Sequence, residues 1–98
     1  MNEVLFTERA LNDIERLADF LLTSAPKAAA ATAEIISSAL DVLQHSPEIG
    51  RKVRCGNREL VISRGNSGYL ALYRFLHGPQ KVLVLAIRHQ RECGYKSF

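Results

Sequence analysis

Three apolar runs separated by two turn-rich breaks fill residues 58–89, and they favour one arrangement, an antiparallel meander. The first run is Arg58-Glu59-Leu60-Val61-Ile62-Ser63-Arg64. The second is Gly68-Tyr69-Leu70-Ala71-Leu72-Tyr73-Arg74-Phe75-Leu76, and the third is Val82-Leu83-Val84-Leu85-Ala86-Ile87-Arg88-His89. The breaks, Gly65-Asn66-Ser67-Gly68 and His77-Gly78-Pro79-Gln80, hold residues that suit turns, because glycine reaches positive φ cheaply and proline presets its own. The middle run is apolar on both faces, which predicts a central strand covered on both sides. The third turns basic at Arg88-His89-Gln90-Arg91, so an apolar sheet opens onto a cationic rim.

The first half reads as one short strand and two helices. Glu3-Val4-Leu5-Phe6 is the strand, and Thr7 is placed to cap a helix from about Glu8 to Thr23. Ala10, Ile14, Leu17 and Leu21 recur at helical spacing, with Leu11, Ala18 and Leu22 widening the stripe. Arg9, Asn12, Asp13, Arg16 and Asp19 fall on the other, wet side. Ser24-Ala25-Pro26 ends this helix and starts a second, since proline suits a first helical position. Ala29, Ala33, Ile36, Leu40 and Leu43 give the second stripe, to about Gln44. Alanines at 28–31 let two helices approach closely, so the pair should form an antiparallel αα-hairpin that also covers one sheet face. Pro47 ends it, and Lys52 to Asn57 is a basic, irregular approach to the sheet.

The expected fold is α+β in the order β-α-α-β-β-β, an N-terminal strand and αα-hairpin packed on a small antiparallel β-sheet. Ninety-eight residues make one domain, 1–98. No uncharged apolar run approaches the roughly 18 residues that span a bilayer, and the N-terminus lacks the pattern of a signal peptide, so no membrane partner and a cytoplasmic location are expected. Cys55 and Cys93 read as reduced thiols, and no ligand spacing calls for a metal or cofactor. Residues 1–50 hold three basic and eight acidic side chains, net −5, whereas residues 51–98 hold ten basic and two acidic, net +8. Such asymmetry predicts a surface that meets an anionic partner, either nucleic acid or an acidic protein segment.

Five short motifs in fixed order resemble the RelE/ParE family of toxins from type II toxin–antitoxin pairs. They are Ala10-Leu11-Asn12-Asp13-Ile14, the loop Ser46-Pro47-Glu48-Ile49-Gly50-Arg51, Arg58-Glu59-Leu60, Gly68-Tyr69 with Leu72-Tyr73-Arg74, and Ile87-Arg88-His89-Gln90-Arg91-Glu92. Each is weak alone, and together they span nearly the whole chain. The resemblance implies a toxin bound by a cognate antitoxin, whose disordered C-terminal segment folds on binding, in a hetero-oligomer. Two activities occur in the family. One branch cuts messenger RNA in the ribosome, and the other poisons DNA gyrase.

The ribonuclease branch places lysines at positions that align with Glu59 and Val61, and an arginine where this chain has Leu70. Phosphodiester cleavage needs cations for the developing phosphorane charge. One acid and two aliphatics in their place favour the ParE-like branch, which resembles this chain in the His89-Gln90-Arg91 ending. On that reading Arg58, Arg64, Arg88, His89, Arg91 and Tyr95 form the target-binding set, where the strand ends meet the tail. The alternatives are a ribonuclease using Arg88, His89, Arg91 and Tyr95, and a non-toxic member that only binds antitoxin. His89 can equally be a strand-ending histidine bonded to a carbonyl. Arg74 must pair with Glu59 or serve the target, and Tyr69 and Tyr73 read as core.

Overall fold

The computed structural model describes residues 1–21, 26–64 and 67–90, apart from the side chains at 20, 21, 28–30, 63, 64 and 67. Strands β1 (Glu3–Phe6), β2 (Arg51–Lys52), β3 (Arg58–Arg64), β4 (Ser67–Leu76) and β5 (Lys81–His89) form one sheet in the order β1-β5-β4-β3-β2. Helices α1 (Glu8–Leu21) and α2 (Pro26–Leu40) lie against one face, and a 3₁₀ turn, Asp41–Gln44, continues α2. The meander of β3, β4 and β5 is antiparallel throughout. The sheet as a whole is mixed, because β1 joins the outer edge of β5 in parallel, Glu3 opposite Lys81 and Phe6 opposite Val84. The basic approach to the sheet contributes the short fifth strand, β2, antiparallel to β3.

Thr7 caps α1 as expected, its Oγ1 accepting a bond from Ala10 N–H at 3.1 Å. The same hydroxyl donates to the Leu85 carbonyl at 3.1 Å, and Thr7 N–H donates to the Val84 carbonyl, so the cap also fastens the helix to β5. Pro26 opens α2. The first helix runs through Leu21, the expected end at Thr23 lying outside the described residues, and the α-helical part of the second gives way at Asp41.

The core joins Ala10, Ile14 and Leu17 of α1 and Ile36, Leu40 and Leu43 of the second helical stretch to Ile62, Tyr69, Ala71, Tyr73, Val82, Val84 and Ile87. Both tyrosines are core residues, and β4 is central, as its composition implied. Four helical positions depart from the simple periodic pattern. Leu11 is 54% exposed, whereas Asp13, expected on the wet side, is buried. Its Oδ2 accepts the Ile87 backbone N–H at 2.9 Å, on the part of β5 that extends past β1, and Oδ1 lies 3.5 Å from Arg16. A buried edge amide needs an acceptor, and this need outweighs the cost of burying a carboxylate that is hydrogen-bonded and charge-paired. On α2, Thr32 is buried and Ala33 is exposed.

Leu85 has no opposite number on β4, since Leu72 faces Ala86 and Tyr73 faces Val84. This bulge shifts the alternation by one residue. Val82, Val84, Ile87 and His89 therefore face the helices, and Ala86 and Arg88 face outward with Leu72 and Leu70.

Candidate functional site

The sheet face away from the helices carries the residues that distinguish this chain. In one row across the strands stand Val61 on β3, Leu70 on β4 and Arg88 on β5. The next row runs Arg51, Glu59, Leu72 and Ala86, and Arg74 opposite Leu83 follows. Leu70 and Ala86 are buried by their neighbours, whereas Val61 is 56% exposed. Glu59 and Val61 therefore share this outer face with Leu70 and Arg88, as strand alternation requires of residues two apart.

Glu59 is buried under Arg51, whose Nε and Nη2 both donate to Oε1, Nε at 3.0 Å. The arginine itself stays largely in solvent. A carboxylate held this way is neutralised in place and adds no net charge to the face. Glu59 thus pairs with the residue opposite it on β2 rather than with Arg74. Arg74 is exposed.

A second constellation secures the loop before β2. Tyr73 is fully buried, and its Oη accepts the Gly50 N–H at 2.8 Å. Burial pushes its phenol above the usual tyrosine value, an effect that the Gly50 bond and the Arg58 charge reduce in part. A Cβ on Gly50 would sit 2.6 Å from that oxygen and 2.8 Å from the Glu59 carbonyl, so only glycine fits. Arg58 completes the corner. Its Nη1 donates to the carbonyls of Glu48 and Gly50 at 3.1 and 2.9 Å, and Nη2 reaches the Glu48 carboxylate at 3.3 Å.

Within the expected target-binding set, Arg58 stands apart from Arg88 and His89. Arg58 holds the loop at one end of β3, six residues and about 20 Å from Arg64. Arg88 and His89 lie near the other end but on opposite faces. Arg88 Nη1 reaches the His89 carbonyl at 3.4 Å, while the imidazole packs edge-on against Tyr69 with ring centroids 5.5 Å apart. Of the four residues of the ribonuclease grouping, Arg88 and His89 are described, and they sit on opposite faces of β5. The side chain of Arg64 and all of Arg91, Tyr95 and Cys93 lie outside the described residues. Cys55 is an exposed free thiol. Among the described residues no three His, Cys, Asp or Glu side chains gather as a metal site would need, and no helix is long and apolar enough to cross a membrane. Sequence reasoning missed the Asp13 contact and the roles of Gly50 and Tyr73. The Gly50 signal was present in the loop motif, but its reason, close approach to a ring from another strand, is visible only in three dimensions.

A family model described as the ParE toxin of type II toxin–antitoxin systems, parDE, matches residues 4–93. Two proteins of Caulobacter vibrioides are similar along the chain. The toxin RelE3 is 35% identical over 94% of this chain and 98% of its own length, and the toxin RelE1 is 40% identical over 74% and 78%. Among solved structures, a chromosomal ParDE system from P. aeruginosa superposes with a TM-score of 0.76 at 22% identity, covering 91% of this chain and 96% of that one. The RelBE2 toxin–antitoxin complex of Mycobacterium tuberculosis superposes with a TM-score of 0.60 at 26% identity, covering 91% and 98%.

Proposed function

This chain belongs to the ParE toxin family of type II toxin–antitoxin systems, and from that premise we propose that it inhibits DNA gyrase in the cytoplasm and is neutralised by a cognate antitoxin. One observation carries the choice of target. The outer face, where the ribonuclease branch needs cations around a phosphate, presents Glu59 already bound to Arg51, then Val61 and Leu70. Among the described residues Arg88 is the one cation in the row of Val61 and Leu70, less charge than a phosphorane transition state requires. An inhibitor that traps a protein–DNA intermediate needs only a binding surface, and an apolar face with cations beside it suits that role.

The antitoxin reading has its own support. The solved ParDE and RelBE neighbours are a toxin–antitoxin system and toxin–antitoxin complexes. The basic second half suits an acidic segment that is disordered when free, attracted electrostatically, and held by apolar contact once folded. Binding to such a segment slows as salt rises.

A second reading, ribosome-dependent messenger RNA cleavage, is favoured by the names of the two Caulobacter relatives. The experiment that separates them is direct. Purified chain is added to gyrase and relaxed plasmid, and in parallel to translating ribosomes. Lost supercoiling or trapped cleaved DNA with intact messages supports gyrase. Message cleavage that His89→Ala abolishes replaces it with the ribonuclease.

A further inference from the structure

The five residues that join β2 to β3 make a compact cationic corner remote from the His89 end of the sheet. The loop 53–57 is closed by Val53 N–H to the Asn57 carbonyl at 3.0 Å and by Asn57 N–H to the Arg54 carbonyl at 3.2 Å. Cys55 and Gly56 both take left-handed φ, 62° and 74°, which makes the turn tight. Arg54 and Lys52 are exposed on it, and from the neighbouring strand β4 the exposed Arg74 reaches across. Its Nη2 lies 3.7 Å from where a Gly56 Cβ would stand. Around the corner the cations differ in kind. Arg51 is paired with Glu59 and Arg58 with Glu48, whereas Lys52, Arg54 and Arg74 have no acidic partner among the described residues.

We propose that this corner binds the phosphate backbone of duplex DNA through Lys52, Arg54 and Arg74. Two properties favour a polyanion over a protein partner. None of the large apolar side chains that the fold exposes lies within 51–58. Protein interfaces concentrate aromatic and apolar anchors and are depleted of lysine, whereas DNA interfaces are strongly positive and polar. Sequence-independent contacts of this type need only charges presented in the open, because each phosphate neutralised releases condensed counterions. The acidic half of the molecule, which includes the exposed Glu8, Glu15 and Asp19 on α1, is repelled by the same backbone, so the chain approaches DNA with this corner leading. This inference goes beyond the gyrase reading and does not need it, because it is measured on bare DNA.

The test is fluorescence anisotropy of a labelled duplex of mixed sequence, titrated with the intact chain at several salt concentrations. Three phosphate contacts predict that log affinity falls with log salt at a slope of about −2.7. Arg54→Glu and Arg74→Glu are each expected to weaken binding at least about fivefold and to bring the slope at least about one unit nearer zero. Lys27→Glu, an equal charge change at an exposed site on α2, is expected to leave both unchanged. Circular dichroism confirms that each variant is folded. Unchanged binding in the two arginine variants, an equal loss in Lys27→Glu, or binding without salt dependence would overturn the proposal. So would arginine variants that bind DNA normally but lose a protein partner, which would mark the corner as a protein interface.

Discussion

The two faces of the sheet are built from the same strands and differ in every other respect. On the inner face Ile62, Tyr69, Ala71, Tyr73, Val84 and Ile87 disappear under the helical hairpin. On the outer face the interleaved residues range from the buried Glu59 and Leu70 through Leu72 and Arg88 to the exposed Val61 and Arg74, and include both charges and bare aliphatics. The inner face is constrained by packing, so a change there is felt as lost stability. The outer face is less constrained, and on the gyrase reading proposed above its chemistry is what sets the target. A fold of this kind can change target without changing its core.

The contrast is broken most severely from the inside. Leu40→Ala or Leu17→Ala removes a buried side chain between hairpin and sheet and is expected to cost about 2–5 kcal/mol in urea unfolding. A loss under about 0.5 kcal/mol would mean that the helices do not depend on this face. Next comes the corner that ties both faces together. Gly50→Ala drives a methyl against the Tyr73 hydroxyl and the Glu59 carbonyl and is expected to cost about 1–3 kcal/mol, as overpacking does. Asp13→Ala strands the Ile87 amide and is expected to cost about 1–3 kcal/mol, read by the same unfolding and by faster exchange of that amide.

A smaller effect comes from pH. Because burial raises the Tyr73 phenol above 10.0, the stability it supports is intact below that value and is lost as pH climbs through the folded value. Alkaline unfolding should be shallower in Tyr73→Phe, against a lower baseline from the abandoned Gly50 amide. The smallest effect sharpens the contrast. Val61→Ser on the outer face should change stability by no more than about 0.5 kcal/mol.

Much of this architecture is written locally. The turn residues of the meander, the hairpin stripes, the Thr7 cap and the core tyrosines follow from periodicity and composition. What escaped depends on single residues or distant ones. Plain alternation from Val82 would point Arg88 into the core, and only the bulge at Leu85 turns it outward. Asp13 looked like surface because its partner, an amide on β5, is 74 residues away. Glu59 was matched with Arg74, and its actual pairing with Arg51 rests on a two-residue strand too short to leave a sequence pattern. Of the candidate site, Arg88 and the departures at Glu59, Val61 and Leu70 were legible. The separation of Arg58 from Arg88 was not, because nothing in the sequence says which end of a strand meets which.

The parallel pairing of β1 with β5 has a consequence for how the molecule comes into being. Among the described residues β1 finds its one sheet neighbour in β5, and the hydroxyl of Thr7 meets Leu85 across 78 residues. At roughly 5–20 residues per second, the ribosome needs roughly 4–16 s to cover that interval. During that time β1 can have no sheet partner. Helix formation is local and can run ahead, but closure of the sheet must await synthesis of β5, and long-range pairing of this sort is slow. A nascent copy therefore cannot complete its sheet until β5 has been translated.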